Sequence, residues 1–157
     1  MADVFSKSKR SFVMSRIRSR GYRATELALA KLLRAHRITG WRRHVQIVVR
    51  GRPKRGAART TPRAVPAFRV RPDFVFLKSR TAVFVDGCFW HGCPRHGTQP
   101  KGNAAFWKRK FARNIARDRR VNRALRPAGW RVIRIWECAL KKHPSTCLRR
   151  IHRALAG

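Results

Sequence analysis

The stretch 85-VDGCFWHGCPRHG-97 carries two of the chain's four cysteines, two of its six histidines and one of its six acids. Cys88, Cys93 and His96 are spaced C-x4-C-x2-H, and Cys138 stands far downstream. Zinc takes four sulfur or nitrogen ligands at the corners of a tetrahedron, and a fully occupied set is structural because no position stays open for a reactant. These four residues are therefore a candidate zinc set. His91 competes for a place in it, and buried core thiols are the other reading of Cys88 and Cys138.

The acids are few enough to be read one by one: Asp3, Glu26, Asp73, Asp86, Asp118 and Glu137. Asp73 opens one predicted strand and Asp86 closes the next. Two carboxylates at one sheet edge make a hard oxygen site suited to Mg²⁺, which can polarise a phosphodiester. His91, an imidazole that exchanges protons near neutral pH, is then a candidate general base. Asp118 falls in a predicted helix. At about 100° per residue it lies within roughly 20° of Trp107, Phe111 and Leu125, with Asn114 about 40° away. Arg109, Arg113, Arg120 and Arg123 fall on the opposite side. A carboxylate on an apolar stripe is costly unless it is paired or ligating. Asp118 is thus either half of a buried Asp–Arg pair or a group aimed into a crevice beside the sheet.

The elements that must hold these residues can be outlined from periodicity. Residues 10–20 read as a short basic helix and 24–37 as a stronger one, with Leu29, Leu32 and Leu33 as its core face and Thr25 as a candidate cap. From Trp41 to Val49 the apolar residues alternate as in a strand. Residues 50–70, rich in Pro and Arg and free of acids, read as a long basic loop that is either a surface insertion or an arm along DNA phosphates. Strands are expected at 73–77 and 81–85 with a turn over Lys78–Thr81, a long helix at 104–126 before Pro127 and Gly129, a strand at 130–138, and a last helix at 145–155 capped by Ser145. The order α-α-β-β-β-α-β-α predicts an α/β fold with a single mixed β-sheet flanked by helices.

The 157 residues suit one domain. With 40 Lys and Arg against 6 acids, the formal net charge is +34, which opposes compaction and points to a polyanionic partner such as DNA or RNA. Nine Phe and five Trp set the chain apart from a disordered basic tail. A membrane role is disfavoured by the lack of a long apolar run. The first residues, MADVFSKSKRS, lack the apolar core of a signal peptide, so a cytoplasmic protein with free or metal-bound thiols is expected.

Taken together, RPDFVF at 71–76, VDGCFWHGCPRHG at 85–97, FWKRKFARNIARDRR at 106–120 and GWRVIRIWECAL at 129–140 resemble the very-short-patch mismatch repair endonucleases. RSFVMSRIRSR and ATELALAKLL near the N-terminus resemble that family too. The resemblance covers nearly all of the chain except the 50–70 loop.

It implies a fold related to the PD-(D/E)XK restriction nucleases with a structural Zn²⁺. It further implies a Mg²⁺-dependent nick 5′ to the thymine of a T:G mismatch, the product of 5-methylcytosine deamination. The partner implied is double-stranded DNA carrying that mismatch, with other repair proteins and a repair polymerase following. The setting implied is the bacterial nucleoid; a monomer is the default expectation, which neither the residues nor the resemblance decides.

By position, Asp73 matches the metal-binding aspartate and Val85 a residue whose backbone carbonyl reaches the Mg²⁺. Asp86 is a further candidate ligand at a position where the family varies. His91 matches the general base, Asp118 and Asn114 the helix residues that organise it, and Glu26 a supporting acid. Cys88, Cys93, His96 and Cys138 match the zinc set. Phe89, Trp90 and Trp107 match the aromatics that wedge into DNA. The chain departs from the pattern in lacking the E-x-K half of the nuclease motif, in the segment Arg20-Gly21-Tyr22, and in the 50–70 insertion. A zinc-containing nucleic-acid binder without catalysis, and a restriction-type nuclease of the same fold, are the alternative readings.

Overall fold

The computed structural model describes residues 23–50, 67–97, 100 and 102–157. The basic helix expected at 10–20 and nearly all of the 50–70 loop lie outside these residues. Helix α1 (Ala28–Ala35) buries Leu29, Ala30 and Leu33 along one face. It follows directly on a wide π-helical turn, Arg23–Leu27, which carries Thr25 and Glu26 inward, both buried. Thr25 is thus part of the helical path and does not cap it.

The alternating stretch 41–49 is two strands, not the single one expected. β1 (Trp41–Arg43) stops at His44, whose φ of +54° turns the chain out of the extended region, and β2 (Ile47–Val49) resumes in a different sheet. β2 pairs antiparallel with β3 (Phe68–Val70), a strand not expected from the sequence, to form a two-stranded ribbon.

The main sheet holds β1, β4 (Phe74–Phe76), β5 (Thr81–Asp86) and β6 (Arg131–Trp136) in the order β1-β4-β5-β6. The first three run antiparallel to their neighbours, while β5 and β6 are parallel. Parallel strands need a crossover, supplied here by α2 (Ala104–Leu125). The expected mixed sheet with flanking helices is present, with the ribbon added to it. β6 ends at Trp136, short of the expected boundary. The chain turns there into α3 (Glu137–Lys142), so Cys138 lies on the first turn of a helix and not at a strand end. The last helix, α4, runs Pro144–Ala156. Proline occupies its first turn, where its missing N–H costs nothing, and Ser145 is helical and does not cap.

The two-residue period of the strands sorts side chains between two cores. Phe74, Phe76, Val83, Val85, Ile133 and Ile135 pack with Leu29 and Leu33 of α1, Leu140 of α3 and Leu148 and Ile151 of α4. Val75 and Ala82 face the other way, onto Ile47 and Val70 of the ribbon and Val121 and Leu125 of α2, with Phe84 and Val132 at the edge of the cluster. The same parity puts Asp86 and Arg134 on the α2 side of the sheet. Among the described residues no helix is long and apolar enough to cross a membrane.

Phe74 joins the halves of the larger core. It is fully buried, meets Trp41 edge-on at 5.4 Å between centroids, and lies beneath the Arg43 guanidinium. Phe74→Ala is expected to cost about 3–5 kcal/mol. Urea denaturation followed by circular dichroism should show the midpoint falling with no change in slope.

Candidate active site and metal centre

A cleft of about 770 Å³ opens between α2 and the ends of β4 and β5, and it contains most of the residues singled out above. Glu26, Asp73, Asp86, Asp118 and Glu137 all line it. These are every acid among the described residues, gathered in one concavity of a chain of charge +34.

Asp73 stands just before β4 and accepts a 2.7 Å hydrogen bond from the backbone N–H of Val85. In the β4–β5 ladder Phe74 faces Val83. Extending that register by two residues puts Pro72 opposite Val85. Proline has no N–H to give the Val85 carbonyl, so the ladder stops there and Asp73 takes up the Val85 N–H in its place. The N–H and C=O of one strand residue point the same way, so the Val85 carbonyl faces the Asp73 edge too. Burial, opposed by the Val85 N–H and reinforced by Glu26 and Asp86, raises the Asp73 pKa to about 6. The Val85 N–H and His91 offset that burial only in part. Glu26 and His44 stand beside it, their ligand atoms within 4.8 Å of those of Asp73 and of one another. Glu26 Oε2 is 3.0 Å from His44 Nε2 and also meets Arg43, while the His44 N–H reaches the Asp73 carbonyl at 3.3 Å.

His91 lies in the loop after β5 with its Nδ1 2.6 Å from Asp118 Oδ2 and 3.5 Å from Asp86 Oδ1. Burial works against ionising Asp118, yet the His91 bond and the Arg134 charge outweigh it, so its carboxyl lies below the usual value. The helical wheel left Asp118 as either half of an Asp–Arg pair or a group aimed into a crevice, and the geometry combines the two features: Oδ1 accepts from Arg134 at 3.0 Å while Oδ2 faces the histidine in the cleft. Both oxygens of Asp86 accept from Arg134 Nη1, at 2.7 and 2.8 Å. Asn114, one turn before Asp118, donates to the backbone carbonyl of Trp90 at 2.8 Å and so fixes the residue preceding His91.

The four expected soft ligands converge: donor atoms of Cys88, Cys93, His96 and Cys138 all lie within 4.8 Å of one another. Cys93 Sγ is 3.8 Å from both Cys138 Sγ and His96 Nδ1. A disulfide would bring sulfurs to about 2.05 Å. A tetrahedron with Zn–S bonds of about 2.3 Å has edges of about 3.8 Å, so the sulfur spacing fits a zinc-sized ion. Burial and the neighbouring thiols push Cys88 up to about 12. Cys93, despite burial, is brought down to about 6 by the backbone N–H of Arg95 and by His96. A dication would let every thiol ionise. His91 is not part of this group.

Phe89 is the hub of an aromatic cluster, 5.0 Å from Trp90, 5.2 Å from Trp107 and 5.3 Å from Phe111. Phe106 extends it and is 47% exposed. Phe111 and Phe106 were not assigned to it from the sequence; Phe111, four residues after Trp107, could have been placed there by helical spacing, whereas Phe106, its neighbour, could not. Arg134 and His44 were missed as well. Arg134 was one of many arginines in a strand, and only strand parity combined with the register of β5 and β6 picks it out.

A sheet-edge carboxylate, an acid-held histidine and a soft-ligand cluster in a strongly basic α/β chain define a nuclease-type site. A model of the family described as DNA mismatch endonuclease Vsr matches residues 65–96. The Type II nicking enzyme V.NmeAIP of Neisseria meningitidis is 36% identical over 155 residues, 98% of this chain and 94% of that protein. The DNA mismatch endonuclease Vsr of Escherichia coli is 35% identical over 142 residues, 90% and 77% of the two chains. The Type II nicking enzyme V.NaeI of Lentzea aerocolonigenes is 56% identical over 69 residues, 44% of this chain and 42% of that protein. The chain belongs to the Vsr family and is a DNA endonuclease.

The separation of the two histidines can be tested by metal analysis. Purified protein should hold one zinc-sized ion per chain by plasma emission spectroscopy. His91→Ala should keep it, whereas His96→Ala should lower the metal content and the melting temperature. Loss of the ion from His91→Ala would reverse the assignment.

Proposed function

We propose that this endonuclease nicks one DNA strand 5′ to the thymine of a T:G mismatch left by 5-methylcytosine deamination, and so initiates very-short-patch repair. The observation that carries the reading is the His91–Asp118 bond at 2.6 Å, in a cleft shared with Asp73 and bordered by the Phe89–Trp90–Trp107 cluster. The 35% identity to the Escherichia coli mismatch endonuclease supports the choice of lesion. The fold is read as a restriction-endonuclease relative of the PD-(D/E)XK type. Residues 1–157 are read as a single domain with 50–70 as a basic insertion. It acts as a monomer beside other mismatch-repair proteins and a repair polymerase.

Cys88, Cys93, His96 and Cys138 would hold Zn²⁺, and Asp73 with the Val85 carbonyl would hold Mg²⁺. Asp86, with both oxygens on Arg134, is assigned to the histidine network and not to the metal. When bound, Mg²⁺ supplies the charge that polarises the phosphodiester and stabilises the leaving oxygen. Asp118 accepts the Nδ1 proton of His91, which fixes the tautomer and leaves Nε2 free to take a proton from water. That water forms its bond to phosphorus as the bond to the leaving sugar oxygen breaks. Asn114 holds the loop through the Trp90 carbonyl, and Glu26 supports the Asp73 edge through His44. Phe89, Trp90 and Trp107 would wedge between base pairs. Unstacking costs a few kcal/mol and least at a mismatch, so the wedge favours the damaged site.

In Mg²⁺ the protein should nick a T:G duplex far faster than the matched duplex. Asp73→Ala and His91→Ala should each lower the rate by about 10²–10⁴-fold while duplex binding persists. Binding without cleavage under every divalent metal would refute the proposal.

A second outcome follows from Asp73. Its carboxyl must be ionised to ligate, so with a pKa raised to about 6 nicking should fall as the pH drops through that value. Protons and metal compete for the same oxygens, so raising Mg²⁺ tenfold should move the midpoint to lower pH. A midpoint indifferent to Mg²⁺ would argue against Asp73 as the ligand.

A further inference from the structure

Two carboxylates face one nitrogen of His91: Asp118 at 2.6 Å from α2, and Asp86 at 3.5 Å from the end of β5. Only one can receive the Nδ1 proton. Which one does so fixes the orientation of the ring and the position of Nε2 in the cleft. The choice lies with Arg134, a residue in the wall of the cleft that holds both acids.

Arg134 projects from β6 toward α2, its guanidinium 4.7 Å from the Phe84 ring centroid, the residue it faces across the parallel ladder. Nη1 occupies both oxygens of Asp86, Nη2 occupies Oδ1 of Asp118, and Nε is 3.3 Å from Oδ1 of Asn122. Asp86 is thereby engaged at both oxygens, while Asp118 keeps Oδ2 for the histidine. We propose that Arg134 is a positioning residue for strand cleavage, its planar fork fixing the two acids so that Asp118 alone orients His91. This role rests on the assignment of His91 as the base. Arg117 also approaches Asp118, at 3.8 Å, but it is 63% exposed and cannot set the geometry against solvent screening.

A lysine keeps the charge opposite Asp86 but offers one compact ammonium where four acceptor oxygens need a flat fork. Arg134→Lys should slow single-turnover nicking of a T:G duplex in Mg²⁺ by about 10- to 100-fold, the usual cost of disturbing a group that orients an active-site ligand. Affinity for the same duplex, measured in Ca²⁺, should stay within about twofold of wild type, as expected when a contact acts only in the reaction step.

The pair Asp86→Asn with Arg134→Met removes both charges, so no carboxylate is left buried alone. It should remain slow, because Asp118 Oδ1 has lost its donor. If Arg134 only neutralised Asp86, this double variant would nick at the wild-type rate, and that result overturns the proposal. So does a loss of rate in Arg134→Lys matched by an equal loss of affinity. Wild-type protein that fails to nick T:G duplexes overturns the reading of the site and this role with it. Wild type that nicks while Arg134→Lys keeps pace overturns this role alone.

Discussion

Two sulfurs 3.8 Å apart, Cys93 in the loop after β5 and Cys138 at the start of α3, tie the site loop to the far side of the sheet edge. That junction lies at one end of the segment that carries Phe89, Trp90 and His91. Between Cys88 and Cys93 stand only Phe89, Trp90, His91 and Gly92, so the anchor residues limit where the aromatic pair and the histidine can go. The backbone closes on itself within the same span, with Cys93 donating to the Cys88 carbonyl and His91 to that of Gly87. Gly92 is needed for this path. Its φ is +65°, and a Cβ there would lie 3.3 Å from Ile115 Cδ1 on α2. The loop is thus held at its base by sulfur and from above by α2, through Ile115 packing and the Asn114 bond to Trp90.

Legibility from sequence followed the periodicities. Asp118 could be placed because a helix repeats every 3.6 residues, and a polar residue on an otherwise apolar stripe stands out. The ligand set could be named because cysteines are few, even though the element carrying Cys138 was not the expected one. β3 is three residues beside a Pro/Arg-rich run, too short for alternation to register. His44 was hidden by its setting in a basic run, and only its positive φ reveals that it ends one strand and turns toward Glu26 and Asp73. Arg134 was hidden by number. In a chain with 40 Lys and Arg, no composition signal separates one arginine from the others. Its partners lie 16 and 48 residues away in sequence, a distance only the folded sheet closes.

The charge distribution joins these observations. Outside the cleft, the sequence offers phosphate an almost uninterrupted basic chain, which attracts DNA without regard to sequence and weakens as salt rises. Inside it, the five described acids converge. Three of them are offset locally: Asp86 and Asp118 by Arg134, and Glu137 by Lys141 at 2.7 Å. Glu26 has Arg43 and His44. Asp73 accepts from the Val85 N–H, and burial raises its pKa despite that bond and despite His91.

A phosphodiester drawn in by the basic surroundings therefore meets, in Asp73, a carboxylate that repels it when ionised. Coulomb repulsion between two unit charges at about 4 Å is worth about 4 kcal/mol at an effective dielectric near 20. That penalty opposes close approach of the phosphate to Asp73, and a divalent cation held there would offset it. General DNA affinity and placement of the phosphate would thus be set by different charges, the arginine-rich exterior and the Asp73 carboxylate.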